Sequence, residues 1–194
     1  MDALKPHRVT VESVEYQGRK AARVTPKDDS GAEDQLALLG VPAFHNGTIE
    51  MDLAGRPGAA AGQGARGFVG IAFRVASDLK KFECFYLRPT NGRADDQVRR
   101  NHSSQYISFP EFPWQRLRKE FPEKYESYVD LAPGEWTRVK IVVDGATAKL
   151  YVHGNAQPTL IVNDLKQGDS QGAVALWVGP GTDAHFSNFK ITPR

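Results

Sequence analysis

Apolar and polar positions alternate in short runs along most of this chain. In GTIEMDL, Ile49, Met51 and Leu53 fall on one face and Glu50 and Asp52 on the other. That two-residue period marks a strand with one side buried. GFVGIAFRV divides the same way, into Val69, Ile71, Phe73 and Val75 against Gly70, Ala72 and Arg74. Small residues ahead of an arginine would suit the floor of a shallow groove. Other β-rich runs are RVTVESVEY, KAARVT, WTRVKIVVDG, TAKLYVHG, TLIVNDL, GAVALWVG and HFSNFKIT. Between them stand EYQGRK, VDGATA, HGNAQP, KQGDSQG and GPGTDA, whose Gly and Asn residues accept positive φ. Many short strands with this punctuation predict an all-β fold, a two-sheet antiparallel sandwich or barrel. VKIVVDGATAKLYVHG reads as a hairpin turning at Asp144–Gly145.

One strand breaks the alternation. In FECFYLR, Glu83 shares a face with Phe85 and Leu87, opposite Phe82, Cys84, Tyr86 and Arg88. Both faces are largely apolar, so the strand is expected to be covered on both sides. The segment that follows, up to Leu131, loses the strand pattern. From Arg88 to Tyr125 it holds eight Arg/Lys and five Asp/Glu residues, with Tyr106, Phe109, Phe112, Trp114, Phe121 and Tyr125. Loops beyond about 12–15 residues are uncommon unless functional or disordered, and aromatics this dense can bury enough area to order the chain. PWQRLRKEFPEKYESY is its best helical stretch, with Pro113 suited to the first turn and Pro122 to its end. Two roles fit the segment: a cover packed on the sheet, or one wall of a ligand groove. GRPGAAAGQGARG, from Gly55 to Gly67, reads as a flexible loop between two strands.

With 194 residues the chain suits a single domain over 1–194, interrupted by an insertion at about 89–130. Net charge is +2. That near balance, and the acids among the arginines, argue against nucleic acid as partner. The single cysteine, Cys84, cannot form an internal disulfide and suits a buried thiol. No apolar run reaches membrane-spanning length. The N-terminal MDALKPHRVTVE lacks a signal peptide's hydrophobic stretch. Taken literally it indicates the cytoplasm; with a leader removed it would indicate secretion. The sequence leaves the oligomeric state open.

Three stretches together resemble the concanavalin A-like lectin/glucanase superfamily. They are GTIEMDLAGRP with GFVGIAFRVASDLKKFECFYLRP, then GEWTRVKIVVDGATAKLYVHG, then GAVALWVGPGTDAHFSNFKITP. Laminin-G-like domains and the keto-disaccharide hydrolase family have similar pieces in this order. The resemblance implies an antiparallel jelly-roll sandwich, here with a partly helical insertion. It does not fix an activity, since the superfamily holds lectins, glycosidases and adhesion modules.

The resemblance also suggests candidate residues. The acidic–arginine–acidic run of the hydrolase family would fall on Glu50, Arg74 and Glu83, outward on one sheet; ordinary charges paired across strands would look the same. Laminarinase-like members carry a Glu-x-Asp-x-(x)-Glu motif. EMDLAG has Glu50 and Asp52 but Ala54 and Gly55 where the last glutamate belongs. Hydrolysis through Glu50 and Glu83 therefore requires neighbouring strands. The histidines show no metal spacing, and His102 is the one candidate acid/base. No cofactor is read from the residues, and the carboxylates of DDSGAED, Asp28–Asp34, lack the spacing of an EF-hand loop; calcium, which superfamily members often bind, is implied by the resemblance only. The first reading is a carbohydrate-binding, lectin-like domain. Its groove would lie between the sheet and the 89–130 segment, using Arg74, Glu83, Arg88, Asn91, Arg93, Asp96, Arg100 and Trp114. Bidentate arginines would suit an acidic sugar. A sugar hydrolase using Glu50, Glu83 or His102, and a non-enzymatic interaction module, are the alternatives.

Overall fold

The computed structural model describes residues 4–28, 33–59, 61–62 and 64–194. Parts of the N-terminal stretch, of Asp28–Asp34 and of the Gly/Ala-rich loop therefore lie outside the described residues, at 1–3, 29–32, 60 and 63.

Two antiparallel seven-stranded sheets pack face to face. The first runs, in spatial order, β1 (Lys5–His7), β4 (Leu36–Leu38), β13 (Ala173–Val178), β6 (Val69–Val75), β7 (Phe82–Leu87), β8 (Ser104–Phe109) and β9 (Glu126–Ser127). The second runs β12 (Leu160–Val162), β11 (Thr147–Val152), β10 (Thr137–Asp144), β5 (Gly47–Pro57), β14 (Thr182–Pro193), β3 (Arg19–Pro26) and β2 (Val9–Tyr16). Two short helices, α1 (Gln97–Asn101) and α2 (Trp114–Glu120), lie between β7 and β9. The fold is the expected jelly-roll sandwich.

The alternation places the core. Ile49, Met51 and Leu53 are buried between the sheets with Val139, Ile141 and Val143 from the neighbouring strand β10. The hairpin forms as expected, with Asp144 paired to Thr147 and Gly145 at φ 56°. In the first sheet, Ile71, Phe85 and Tyr106 stand side by side on the inner face. Gly70, Tyr86 and Gln105 form the matching row on the outer face. Every residue of β6 and β7 is buried, so this sheet is covered on both sides.

The 89–130 segment is more than a cover. Ser104–Phe109 pairs with β7 along its whole length, and Glu126–Ser127 pairs with β8. The segment thus widens the first sheet by two strands and lays α2 along β8. Helix α2 begins after Pro113 and stops at Phe121, one residue before Pro122. A proline there lacks the donor and the room to continue the helix.

Candidate functional site

The proposed grouping of Glu50, Arg74 and Glu83 does not form. Residue spacing assigns a face, not a sheet, and the chain crosses between sheets after β5. Glu50 lies on the outer face of the second sheet, bonded to Arg138 at 3.2 Å and near Lys190 at 3.6 Å. The hydrogen bond from Arg138 leads the effects that lower its pKa. Glu83 is fully buried in the first sheet. Its Oε2 accepts from the Tyr106 hydroxyl at 2.6 Å and its Oε1 from the Gln167 backbone N–H at 2.8 Å. Burial raises the Glu83 carboxyl against the pull of those hydrogen bonds. Glu83 thus ties the 165–168 turn to the first sheet, and it does not meet Glu50 on a shared face as two-carboxylate hydrolysis requires.

Arg74 is not outward either. It sits at a β-bulge, where the register between β6 and β13 shifts, with φ at 53°. The extra residue re-aims the side chain. Its guanidinium donates to His45 O, Asn46 Oδ1, Gly145 O and Gly168 O, joining three turns.

Four other expected residues do converge. Past the end of β7, Arg88 lies at the outer face of the first sheet, 4% exposed. One terminal nitrogen donates to Tyr86 Oη at 2.8 Å and Gln105 Oε1 at 3.0 Å; the other donates to His102 O at 3.0 Å. Three rings surround the guanidinium, Tyr86 at 5.1 Å and Phe68 and Trp114 at 5.4 Å each. A planar cation with little hydration is suited to such a cage. Burial pushes the Tyr86 hydroxyl up to about 12, so it stays neutral beneath the arginine. Gly70 gives Tyr86 its place: a Cβ there would stand 2.5 Å from that of Tyr86.

Above Arg88 opens a cleft of about 290 Å³. Phe68, Asn91, Arg99, His102, Trp114 and Arg118 line it, with Gly64 and Arg66 on the loop side. Asn91 donates to His102 O at 3.3 Å. The guanidinium of Arg99 donates to neutral oxygens, Thr90 O and Asn91 Oδ1, both at 3.5 Å. Trp114 and Arg118 are one helical turn apart, with the Arg118 guanidinium 4.6 Å from the indole.

One carboxylate, Glu126, serves this group from behind, its side chain 2% exposed. It accepts two hydrogen bonds from Arg118, at 2.8 and 2.6 Å, and lies 3.4 Å from Arg88 and 3.6 Å from His102. Burial alone would raise its pKa, but Arg118, then His102 and Arg88, hold it below the usual range. Burial, joined by the Arg118 and Arg88 charges, keeps His102 below its ordinary value of 6.5 despite Glu126. The cleft therefore offers aromatic faces, fixed planar donors and local positive charge.

Three expected residues stay outside it. Arg93 is clamped to Asp130 by two hydrogen bonds at 2.8 and 2.9 Å. Asp96 caps α1 through the Arg99 N–H. Arg100 lies over Tyr128 and donates to its hydroxyl at 3.1 Å. Sequence reasoning missed Phe68, Arg99, Arg118 and Glu126. The four-residue spacing of Trp114 and Arg118 was a readable signal; Glu126, in a two-residue strand, offered none. Among the described residues, no group of three or more His, Cys, Asp or Glu could hold a metal ion. No helix among them is long and apolar enough to cross a membrane.

Among solved structures the chain is similar to the carbohydrate binding module CBM66 from Bacillus subtilis. The TM-score is 0.67 at 16% identity, over 97% of this chain and 94% of that one. It is also similar to a Bacillus subtilis protein of unknown function with a galectin-like fold, at TM-score 0.54 and 13% identity, over 96% and 90% of the two chains. No family model and no curated protein matches it. Likeness at these identities shows a shared fold.

Proposed function

We propose that this chain is a carbohydrate-binding, lectin-like domain that holds an acidic sugar in the cleft between the first sheet and the 89–130 segment. The observation that carries this is the convergence of Trp114 and Phe68 with Arg88, Asn91, Arg99 and Arg118 on one concavity. Sugars present C–H faces that pack on aromatic rings and hydroxyl pairs that suit planar donors. Arg88 and Arg118 share Glu126 as their carboxylate partner, and the Arg99 side chain donates to neutral oxygens, which favours a ligand that brings negative charge. The carbohydrate binding module of similar fold supports the same class.

A glycan array holding neutral, uronate and sulfated sugars tests the reading, followed by calorimetric titration. Binding to acidic members is expected. Trp114→Ala should weaken it by about 2 kcal/mol, the scale of a buried aromatic anchor, without shifting the thermal midpoint comparably. An array with no hits, or an unchanged affinity in this variant, would remove the assignment.

A bound anion favours the protonated form of His102. Binding should then take up a proton and tighten, by about threefold or more, as pH falls below 6.5. The unliganded protein should show the opposite sign at this group. Its folded-state pKa is lowered, so His102 contributes stability above 6.5 that is lost as pH falls. His102→Gln should flatten the binding profile; an equally steep profile in that variant would place the proton elsewhere.

A further inference from the structure

We infer that the ligand is a chain of several acidic units that leaves the cleft past Phe68 and ends against a second pair of arginines, Arg23 and Arg56, on the other sheet. This rests on the sugar-binding reading above. Three cavities follow one another along the end of the sandwich. The cleft shares Gly64, Arg66 and Phe68 with a neighbour of about 390 Å³. That neighbour shares Gly181 with a third cavity of about 610 Å³, larger than either. Small residues, Gly62, Gly64, Ala65 and Gly181, line the middle stretch, so its relief is low.

The far cavity is built for polar contact. Asp183, 6% exposed, sits on β14 between β3 and β5. It accepts from Arg23 Nε at 2.8 Å and from Arg56 Nε and Nη2 at 3.1 and 3.0 Å. These bonds fix both guanidinium planes. Arg23 Nη1 is taken by Glu12 at 3.0 Å. Arg23 Nη2 and Arg56 Nη1 have no hydrogen-bond acceptor among the described residues. Thr182, which also lines the cavity, has its buried hydroxyl oxygen without a partner among the described residues. Held guanidinium edges with spare donors suit carboxylate or sulfate oxygens. A single sugar in the cleft would leave this end empty, whereas a chain with a charge on each unit engages both ends at once and gains from the linkage.

The test is chain length. Two series are titrated into the intact protein, each from two to six units: oligogalacturonides, which carry carboxylates and no sulfate, and iota-carrageenan oligosaccharides, which carry sulfates and no carboxylate. The dissociation constant is expected to fall by about tenfold or more with length, and the series that responds identifies carboxylate or sulfate as the anchor. Two variants locate the effect: Ala59→Trp, which fills the far cavity, and Arg56→Gln, which removes a donor, each checked by thermal melting. Both should lose the length-dependent gain while keeping affinity for the two-unit sugars. Equal affinity at all lengths, or a gain that survives Ala59→Trp, overturns the extended groove and leaves sugar binding standing. If neither series binds at any length, the extended groove and the acidic-sugar reading fall together.

Discussion

Arg74→Ala should lower the unfolding free energy by roughly 3–5 kcal/mol, the scale for removing one partner of a buried charged network. The side chain is 0% exposed and makes five hydrogen bonds. Its shortest reach Gly168 O at 2.7 Å, Gly145 O at 2.8 Å and His45 O at 2.9 Å. Alanine would leave three carbonyls from three turns without this donor, and each buried orphan costs about 1–3 kcal/mol. Arg74→Lys keeps the charge but loses the fork, so it should recover less than half of the loss. Urea unfolding of both variants gives the answer; a loss under about 1 kcal/mol for alanine would mean that water replaces the guanidinium and the three turns are not held by it.

Arg88→Ala is expected to remove detectable sugar binding and to cost about 3 kcal/mol of stability, since the side chain is both caged and four-fold bonded. Arg88→Lys separates the two effects. An ammonium can reach Tyr86 Oη or Gln105 Oε1, but it cannot present a flat edge between Phe68 and Trp114. The lysine variant should therefore melt closer to the parent while binding at least about tenfold more weakly. Parent-like affinity in Arg88→Lys would show that the cleft needs only charge, and would remove the planar-donor argument.

How much of this was readable beforehand depends on what each pattern encodes. The period of two put Ile49, Met51 and Leu53 in the core correctly, because it reports which way a side chain points. It does not report which sheet a strand joins, so Glu50 and Glu83 were set on one face when a crossover parts them. Arg74 was misplaced for a local reason: a bulge inserts one residue and shifts the phase, and nothing in VGIAFRV marks it. Within the arginine-rich segment, Arg88, Asn91, His102 and Trp114 meet in the cleft, while Arg93 and Arg100 pair with Asp130 and Tyr128. Composition identified the region, but partner choice rests on contacts 28 to 37 positions apart. Phe68 escaped notice because it closes a Gly-rich loop, whose sequence speaks of flexibility rather than of the ring at its end.

The sheet edges carry a consequence for how copies of the chain meet. Three of the four outermost strands, β1, β9 and β12, are only two or three residues long. The fourth, β2, runs for eight residues and carries exposed Glu12 and Glu15. Short or charged borders offer little template for another backbone to extend the ladder. Strand-to-strand aggregation should thus find poor purchase, and β2 is the border where losing its glutamates would first make the protein sticky.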